Sequence, residues 1–245
     1  MSTSIKFICY KWGKKYPSIY VNRLYAMVKK HYDRDFEFYC ITDNPSGIRS
    51  EVLTHDLDHL SEFRGTSENM FTIEKLSSFK EGFLDCNGPY VLLDLDILIH
   101  GNITEYLDDC FTEFRLIYNY WAPEDAVITH YGHNYCVINS SFITWKGDQA
   151  NHIFKFYKDN MKKISKIYWS LDHSMFYLQE GRYSCHPKGI VYTYNAGASW
   201  PDDKDVGKYR DDYKICLFNN SHGVGFDINE VKGWAKTMWE SYDRI

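Results

Sequence analysis

Two aspartates one residue apart sit inside the most apolar run of the chain. The segment reads Tyr90-Val91-Leu92-Leu93-Asp94-Leu95-Asp96-Ile97-Leu98-Ile99. A run of this kind belongs to a strand buried on both faces, where carboxylates are costly unless something compensates them. Period-two alternation puts Asp94 and Asp96 on one face and Leu95 on the other. Like charges this close raise one another's pKa unless a cation sits between them. A hard divalent ion with oxygen ligands meets that need. The alternative is that the pair accepts backbone N–H bonds at a strand end.

Other residues with chemical potential fall at the ends of predicted elements. The first strand runs out into Tyr10-Lys11-Trp12-Gly13 and Tyr16, and the second ends in Thr42-Asp43. Asp43 either caps its own turn or faces a ligand. Lys75 lies on a predicted helix just before the acidic strand, where a lysine is commonly only solvated. Asn139 lies in a strand-like run from Val137, Asp172 near the start of a helix, and His222-Gly223 follows the last strand, with Lys232 beyond. His55, His59, His130 and His133 have no identifiable partner.

The elements that must position these residues alternate. Ile5–Tyr10, Phe36–Ile41 and Val52–Leu57 read as strands, with Pro17–Tyr32 and Met70–Phe83 as helices at 3.6-residue spacing. Thr42-Asp43-Asn44-Pro45 is a turn signal, and Tyr90–Ile99 is the strongest strand. Strand alternating with helix predicts an α/β fold with a mostly parallel central sheet and flanking helices. Further on, Phe114–Asn119, Val137–Trp145, Ile190–Asn195 and Ile215–Asn219 are expected strands, and Gln149–Ile164 and Leu171–Glu180 expected helices. A single domain over 1–245 is expected, with 1–110 as a ligand-binding half and 111–245 as a second, acceptor-side half. In a parallel sheet the loops at the carboxyl ends of neighbouring strands form the ligand crevice.

Composition narrows the partners. The 245 residues carry a formal net charge of −5 and no long Lys/Arg run, which argues against nucleic acid. The lysines between Lys158 and Lys166 follow a helical pattern and read as a solvated face rather than a membrane patch. No apolar stretch approaches transmembrane length, and Met1–Lys6 is not the start of a signal peptide. The seven cysteines are scattered, odd in number and without a CxxC pair; they read as reduced core thiols of a cytoplasmic protein. Aromatics reach 18%, which fits either sugar-stacking surfaces or half-buried sheets. The oligomeric state is not legible.

The hydrophobic strand ending in Asp94-Leu95-Asp96, continued by His100-Gly101-Asn102-Ile103, resembles the DxD motif of GT-A glycosyltransferases, and in particular the glycogenin and lipopolysaccharide galactosyltransferase group. The resemblance touches residues 5 to 234 through short motifs. It implies a Rossmann-like GT-A fold, a nucleotide-sugar donor (a UDP-sugar above all), a saccharide or other hydroxyl acceptor, and Mn²⁺, with Mg²⁺ possible, held by Asp94 and Asp96. In that family a histidine at the position of His222 completes the metal site. An imidazole beside two carboxylates suits Mn²⁺ better than Mg²⁺. The nucleoside would lie against Tyr10, Lys11, Trp12, Tyr16, Thr42 and Asp43. Lys75, Leu95, Gly223 and Lys232 would approach the donor, Asn139 would contact the transferred sugar, and Asp172 its hydroxyls. Two departures stand out: Ser141 replaces a glycine and His173 a glutamine of the family pattern. The group's Lys-Pro-Trp spacing is not kept at Lys232-Gly233-Trp234. The resemblance points to retention of configuration. An inverting reaction would need a general base, for which Asp172, Asp125 and Asp202 are equal candidates.

Two other readings share parts of this pattern. A haloacid-dehalogenase-like phosphatase also has a hydrophobic run before Asp-x-Asp, but expects Thr or Val two residues later and a position near the N-terminus. A non-catalytic carbohydrate-binding protein accounts for the aromatics but gives the acidic pair no purpose.

Overall fold

A computed structural model of the chain describes residues 4–63, 72–85, 87–122, 136–203, 207–218 and 231–245. Its strands, in chain order, are β1 (Ile5–Lys11), β2 (Phe36–Thr42), β3 (Leu53–Asp56), β4 (Pro89–Leu93), β5 (Ile97–Ile99), β6 (Arg115–Tyr118), β7 (Ile138–Lys146), β8 (Ser184–Cys185), β9 (Val191–Thr193) and β10 (Ile215–Leu217). The α-helices are α1 (Ser18–His31), α2 (Leu57–Leu60), α3 (Thr104–Asp109), α4 (Asn151–Ile164), α5 (Leu171–Leu178) and α6 (Gly233–Ser241).

Seven strands form one sheet in the order β3-β2-β1-β4-β7-β6-β8, and β5-β10-β9 form a second, small sheet. In the large sheet β1 pairs in parallel with both β2 and β4, and β2 with β3. Strand β7 runs antiparallel to both of its neighbours, β4 and β6. This is the mostly parallel α/β sheet that the alternating pattern predicts.

Alternation along the central strands sends side chains to two cores. From β1, Phe7 and Cys9 pack toward α1 with Val21, Leu24 and Val28, joined by Val91 and Leu93 from β4. Ile8 and Tyr10 face the other way, with Tyr90 and Leu92, against Leu76, Phe79, Ile153, Tyr157 and Met175. With both faces covered, the central strands are nearly continuous in apolar residues, as parallel strands require.

Two expected elements differ. Tyr90–Ile99 is not one strand: it is β4 and β5, in different sheets, broken at Asp94-Leu95-Asp96. The backbone changes partners there. The Asp94 N–H donates to Ser141 O on β7 at 2.9 Å, whereas Asp96 O accepts from Phe218 N, just past β10, at 3.0 Å. Two adjacent carboxylates cannot be buried in a strand covered on both faces, and the break brings them to an edge. The helix expected over Met70–Phe83 is instead a 3-10 helix, Ile73–Phe79, with a second short one at Phe83–Asp85; Met70 and Phe71 lie outside the described residues. Ser77 Oγ accepts from Glu62 N and the Ser78 hydroxyl lies 2.7 Å from the Tyr10 hydroxyl, tying this 3-10 helix to the residues around it. Helices α3 and α6 were not expected from the sequence.

Candidate active site at the break between the sheets

The carboxyl ends of β1, β2 and β4 lie side by side, followed by residues 12–16, Asp43 and the Asp94–Asp96 triplet. The first residues of β7 reach the same edge, because that strand runs the opposite way. The pairing of β6 with β7 is irregular here: the register shifts between Arg115 and Ile117, opposite Asn139 to Thr144. Such bulges re-aim side chains at sheet edges.

The alternation read from the sequence survives the break. Leu95 is only 3% exposed, while Asp94 and Asp96 are half-buried. Each carboxylate has its own partner. Lys75 Nζ lies 2.6 Å from Asp94 Oδ1 and also donates to Ser140 O at 3.1 Å and Ser140 Oγ at 3.2 Å. All three ammonium protons are thereby directed inward. The Tyr16 hydroxyl donates to Asp96 Oδ2 at 3.0 Å.

This pairing does not neutralise the pair. Burial and then the charge of Asp94 hold the Asp96 carboxyl above its ordinary range, against the opposing hydrogen bond from Tyr16. Asp172, in the first turn of α5, belongs to the same cluster. Burial raises its carboxyl, while Lys75 and a Ser140 hydrogen bond act to lower it and Asp94 adds to the rise. Its Oδ1 is buried without a hydrogen-bond partner among the described residues. The Asn139 Oδ1 accepts from Ser141 N at 2.8 Å, bracing the segment whose carbonyl holds Asp94. Lys75 and three carboxyl groups thus share this edge, with Lys15 near enough to favour the ionised form of Asp96.

The remaining sequence candidates are distributed as follows. Tyr10 does not face the crevice: it is buried, and its hydroxyl lies 2.7 Å from Ser78 Oγ. Lys11 is buried along its stem, with Nζ 3.4 Å from Asn44 O, and Trp12 is half-buried. Thr42 Oγ1 accepts from Asn44 N at 3.1 Å. Exposed Asp43 accepts from Gly13 N at 3.0 Å, tying the loop after β1 to the end of β2. Exposed Lys232 caps α6, and its backbone N lies 3.3 Å from the Tyr194 hydroxyl. His222, Gly223 and Asp125 lie outside the described residues, whereas Asp202 is exposed. Phe218 reaches the site, bonded to Asp96 O. Among the described residues no three His, Cys, Asp or Glu side chains form a metal-holding group.

Ser140 was missed by sequence reasoning, although it supplies two of the three acceptors around Lys75. Its only signal was the serine pair where the resembling family has Ser-Gly. The Gly101 step has a physical reason: a Cβ there would meet Lys214 Cδ at 2.8 Å and Tyr213 O at 3.1 Å. The Gly101 position therefore permits the close approach that lets His100 N and Gly101 N both donate to Lys214 O. Just before α3, Asn102 Oδ1 accepts from Thr104 N at 2.8 Å.

No protein-family model matches the sequence, and no curated protein matches it. Solved structures do match. An active-site mutant of LgtC superposes with a TM-score of 0.64 at 13% identity, covering 98% of this chain and 95% of that one. The galactosyltransferase LgtC in complex with donor and acceptor sugar analogues gives 0.59 at 13% identity, covering 97% and 94%. The glycosyltransferase GlyE of Streptococcus pneumoniae TIGR4 gives 0.56 at 10% identity, covering 99% of this chain and 61% of that one. At such identities the likeness establishes architecture, and the chain is built on the GT-A glycosyltransferase fold.

Proposed function

We propose that this protein is a metal-dependent glycosyltransferase that moves a sugar from a nucleotide-diphosphate sugar, a UDP-sugar by preference, to a saccharide or other hydroxyl acceptor with retention of configuration. One observation carries the reading. Asp94 and Asp96 stand at the carboxyl end of the central strand of a GT-A sheet, with Lys75 as the one lysine ion-paired to them among the described residues and an Asp96 carboxyl held above its ordinary range. The fold's likeness to a galactosyltransferase crystallised with donor and acceptor sugar analogues supports the same reading.

The donor set fits a hard or borderline divalent ion such as Mn²⁺ or Mg²⁺. Asp94 and Asp96 would hold it. His222 would join them, in a segment that the chain enters from Phe218 beside Asp96. When bound, such an ion supplies Lewis-acid stabilisation of the charge that builds on a departing diphosphate, worth several kcal/mol.

The protein's own groups do the orienting. Lys75 fixes Asp94 and Ser140 in one geometry, so it acts as a positioning residue. The Tyr16 hydroxyl donates to Asp96 and favours its ionised form, against burial and the charge of Asp94. Asp43 braces the loop after β1 against the end of β2, in the crevice where parallel sheets bind nucleotides. Asp172, with an unpartnered buried oxygen among the described residues, would accept from a sugar hydroxyl, and Asn139 on β7 would contact the transferred sugar. Such orientation lowers the barrier by fixing donor and acceptor in one geometry.

The test is sugar release or transfer from UDP-, GDP- and CDP-sugars with and without Mn²⁺, beside hydrolysis of p-nitrophenyl phosphate. Sugar release from one nucleotide sugar, dependent on Mn²⁺ and abolished in Asp96→Asn, supports the proposal. Hydrolysis of the phosphate monoester alone points to the phosphatase reading. Sugar binding with no turnover points to a carbohydrate-binding protein.

A further inference from the structure

The corner where α4 passes into α5 exposes large apolar side chains and lysines together. Ile167 is 73% exposed and Trp169 and Tyr177 41% each, three of the seven large hydrophobic side chains exposed among the described residues. They form one patch. Trp169 packs on His173 with ring centroids 4.5 Å apart, and Tyr177, one helical turn further along α5, stacks on Tyr168 at 6.0 Å. Backbone bonds from Lys166 N to Lys163 O and from Tyr168 N to Ile164 O fold the connection into a tight turn. Its tip therefore carries Lys166 and Ile167 outward.

Charge singles out the same corner. Lys162, Lys163 and Lys166 are exposed and have no ion pair among the described residues, whereas Lys158, further back on α4, pairs with Glu62. Exposed Asp159 and Glu180 bound the corner; between them the only carboxylate is Asp172, and it faces Lys75 and Asp94 in the site. Three unpaired cations thus flank an exposed isoleucine and two amphipathic aromatics, on a chain whose formal net charge is −5. Tryptophan and tyrosine favour the headgroup level of a bilayer, and lysines favour anionic lipid.

We infer that this corner docks the protein peripherally on an anionic lipid surface, with Ile167 and Trp169 entering the headgroup layer and Lys162, Lys163 and Lys166 lying against lipid phosphates. The reading revises the solvated-face expectation for these lysines and does not rest on the proposed transferase activity. Attachment by such a patch is superficial and reversible.

The experiment is co-sedimentation of the full chain with vesicles of phosphatidylcholine alone or of equimolar phosphatidylcholine and phosphatidylglycerol, at low and raised salt. Binding to the anionic vesicles only, weakened by salt, is expected. Changing Lys162, Lys163 and Lys166 together to Glu should weaken it on the order of a hundredfold, about fivefold or more for each lysine. Ile167→Ser, at a side chain too exposed to matter for folding, should weaken it by several-fold. Circular dichroism confirms that each variant is folded. Absence of binding to either vesicle, or binding indifferent to both changes, overturns the inference. So does concentration-dependent self-association lost in Ile167→Ser, which would make the patch an interface between copies.

Discussion

Replacing Lys75 with methionine isolates what holds the acidic edge together. Methionine keeps most of the stem's packing and removes the charge. In the native chain the Lys75 side chain is 3% exposed and the Asp94 side chain 26%. Breaking a fully buried ion pair by removing one partner costs about 3–5 kcal/mol. Water reaches the stranded Asp94 in part, which reduces that figure to roughly 2–3 kcal/mol. The loss of the bonds to Ser140 O and Oγ adds about 1 kcal/mol. The relief of no longer burying an ammonium offsets some of this, leaving an expected loss of about 2–4 kcal/mol. Urea unfolding in chelator, followed by far-UV circular dichroism, measures it as a lower midpoint with unchanged slope. The double variant Lys75→Met/Asp94→Asn separates the ion pair from general core damage. An asparagine in place of Asp94 leaves no charge to strand, so the two changes should couple by about 1–2 kcal/mol. Destabilisation below about 0.5 kcal/mol, or strict additivity, would refute the positioning role and return Lys75 to a direct donor contact.

Other consequences follow from the same geometry. Asp96 has a folded carboxyl raised by burial and by Asp94, so its contribution to stability is present at acid pH and is lost as pH rises through the raised value. Without metal, Asp96→Asn should therefore be more thermally stable than the native chain at neutral pH, with the gap closing toward acid pH; a variant less stable at neutral pH would contradict this. Tyr16→Phe removes the hydroxyl that donates to Asp96 Oδ2 and should cost about 1.5 kcal/mol, read as roughly a tenfold fall in kcat/KM for sugar transfer. Gly101→Ala drives a Cβ against backbone at Tyr213 O and Lys214 Cα, at 3.1 and 3.2 Å, and should lower stability by about 1–3 kcal/mol in thermal or urea unfolding.

The sheet and its acidic edge were legible because each rests on local pattern. Apolar runs alternating with helical spacing dictate a parallel sheet, and two aspartates inside the strongest run demand an explanation wherever that run lies. The break of the run into β4 and β5 was not legible. It depends on β7 and β10 arriving from the other half of the chain to take Ser141 and Phe218 to either side of the triplet. Long-range pairing also decided Lys75. Its sequence neighbours make it look like an ordinary helical lysine, and only the arrival of Ser140 and Asp94 turns it inward. Tyr10 misled for the opposite reason: alternation alone puts it on the Ile8 face, under the 3-10 helix, rather than over the crevice. The helix α6 left a signal in Trp234 and Trp239. Trp239 packs on Tyr20 at 4.8 Å, Tyr20 packs on Tyr16 at 5.0 Å, and Arg23 lies 3.7 Å over the Trp239 ring. The chain's last helix thereby buttresses the tyrosine that holds Asp96.

Calorimetric titration of UDP into the protein, with Mn²⁺ and with chelator, for the native chain and Asp96→Asn, addresses most directly whether Asp94 and Asp96 grip a diphosphate through a cation. Binding heat that requires Mn²⁺ and vanishes in Asp96→Asn, with the variant still folded, is the expected result. Nucleotide binding that is equally strong in chelator and untouched by Asp96→Asn would contradict it.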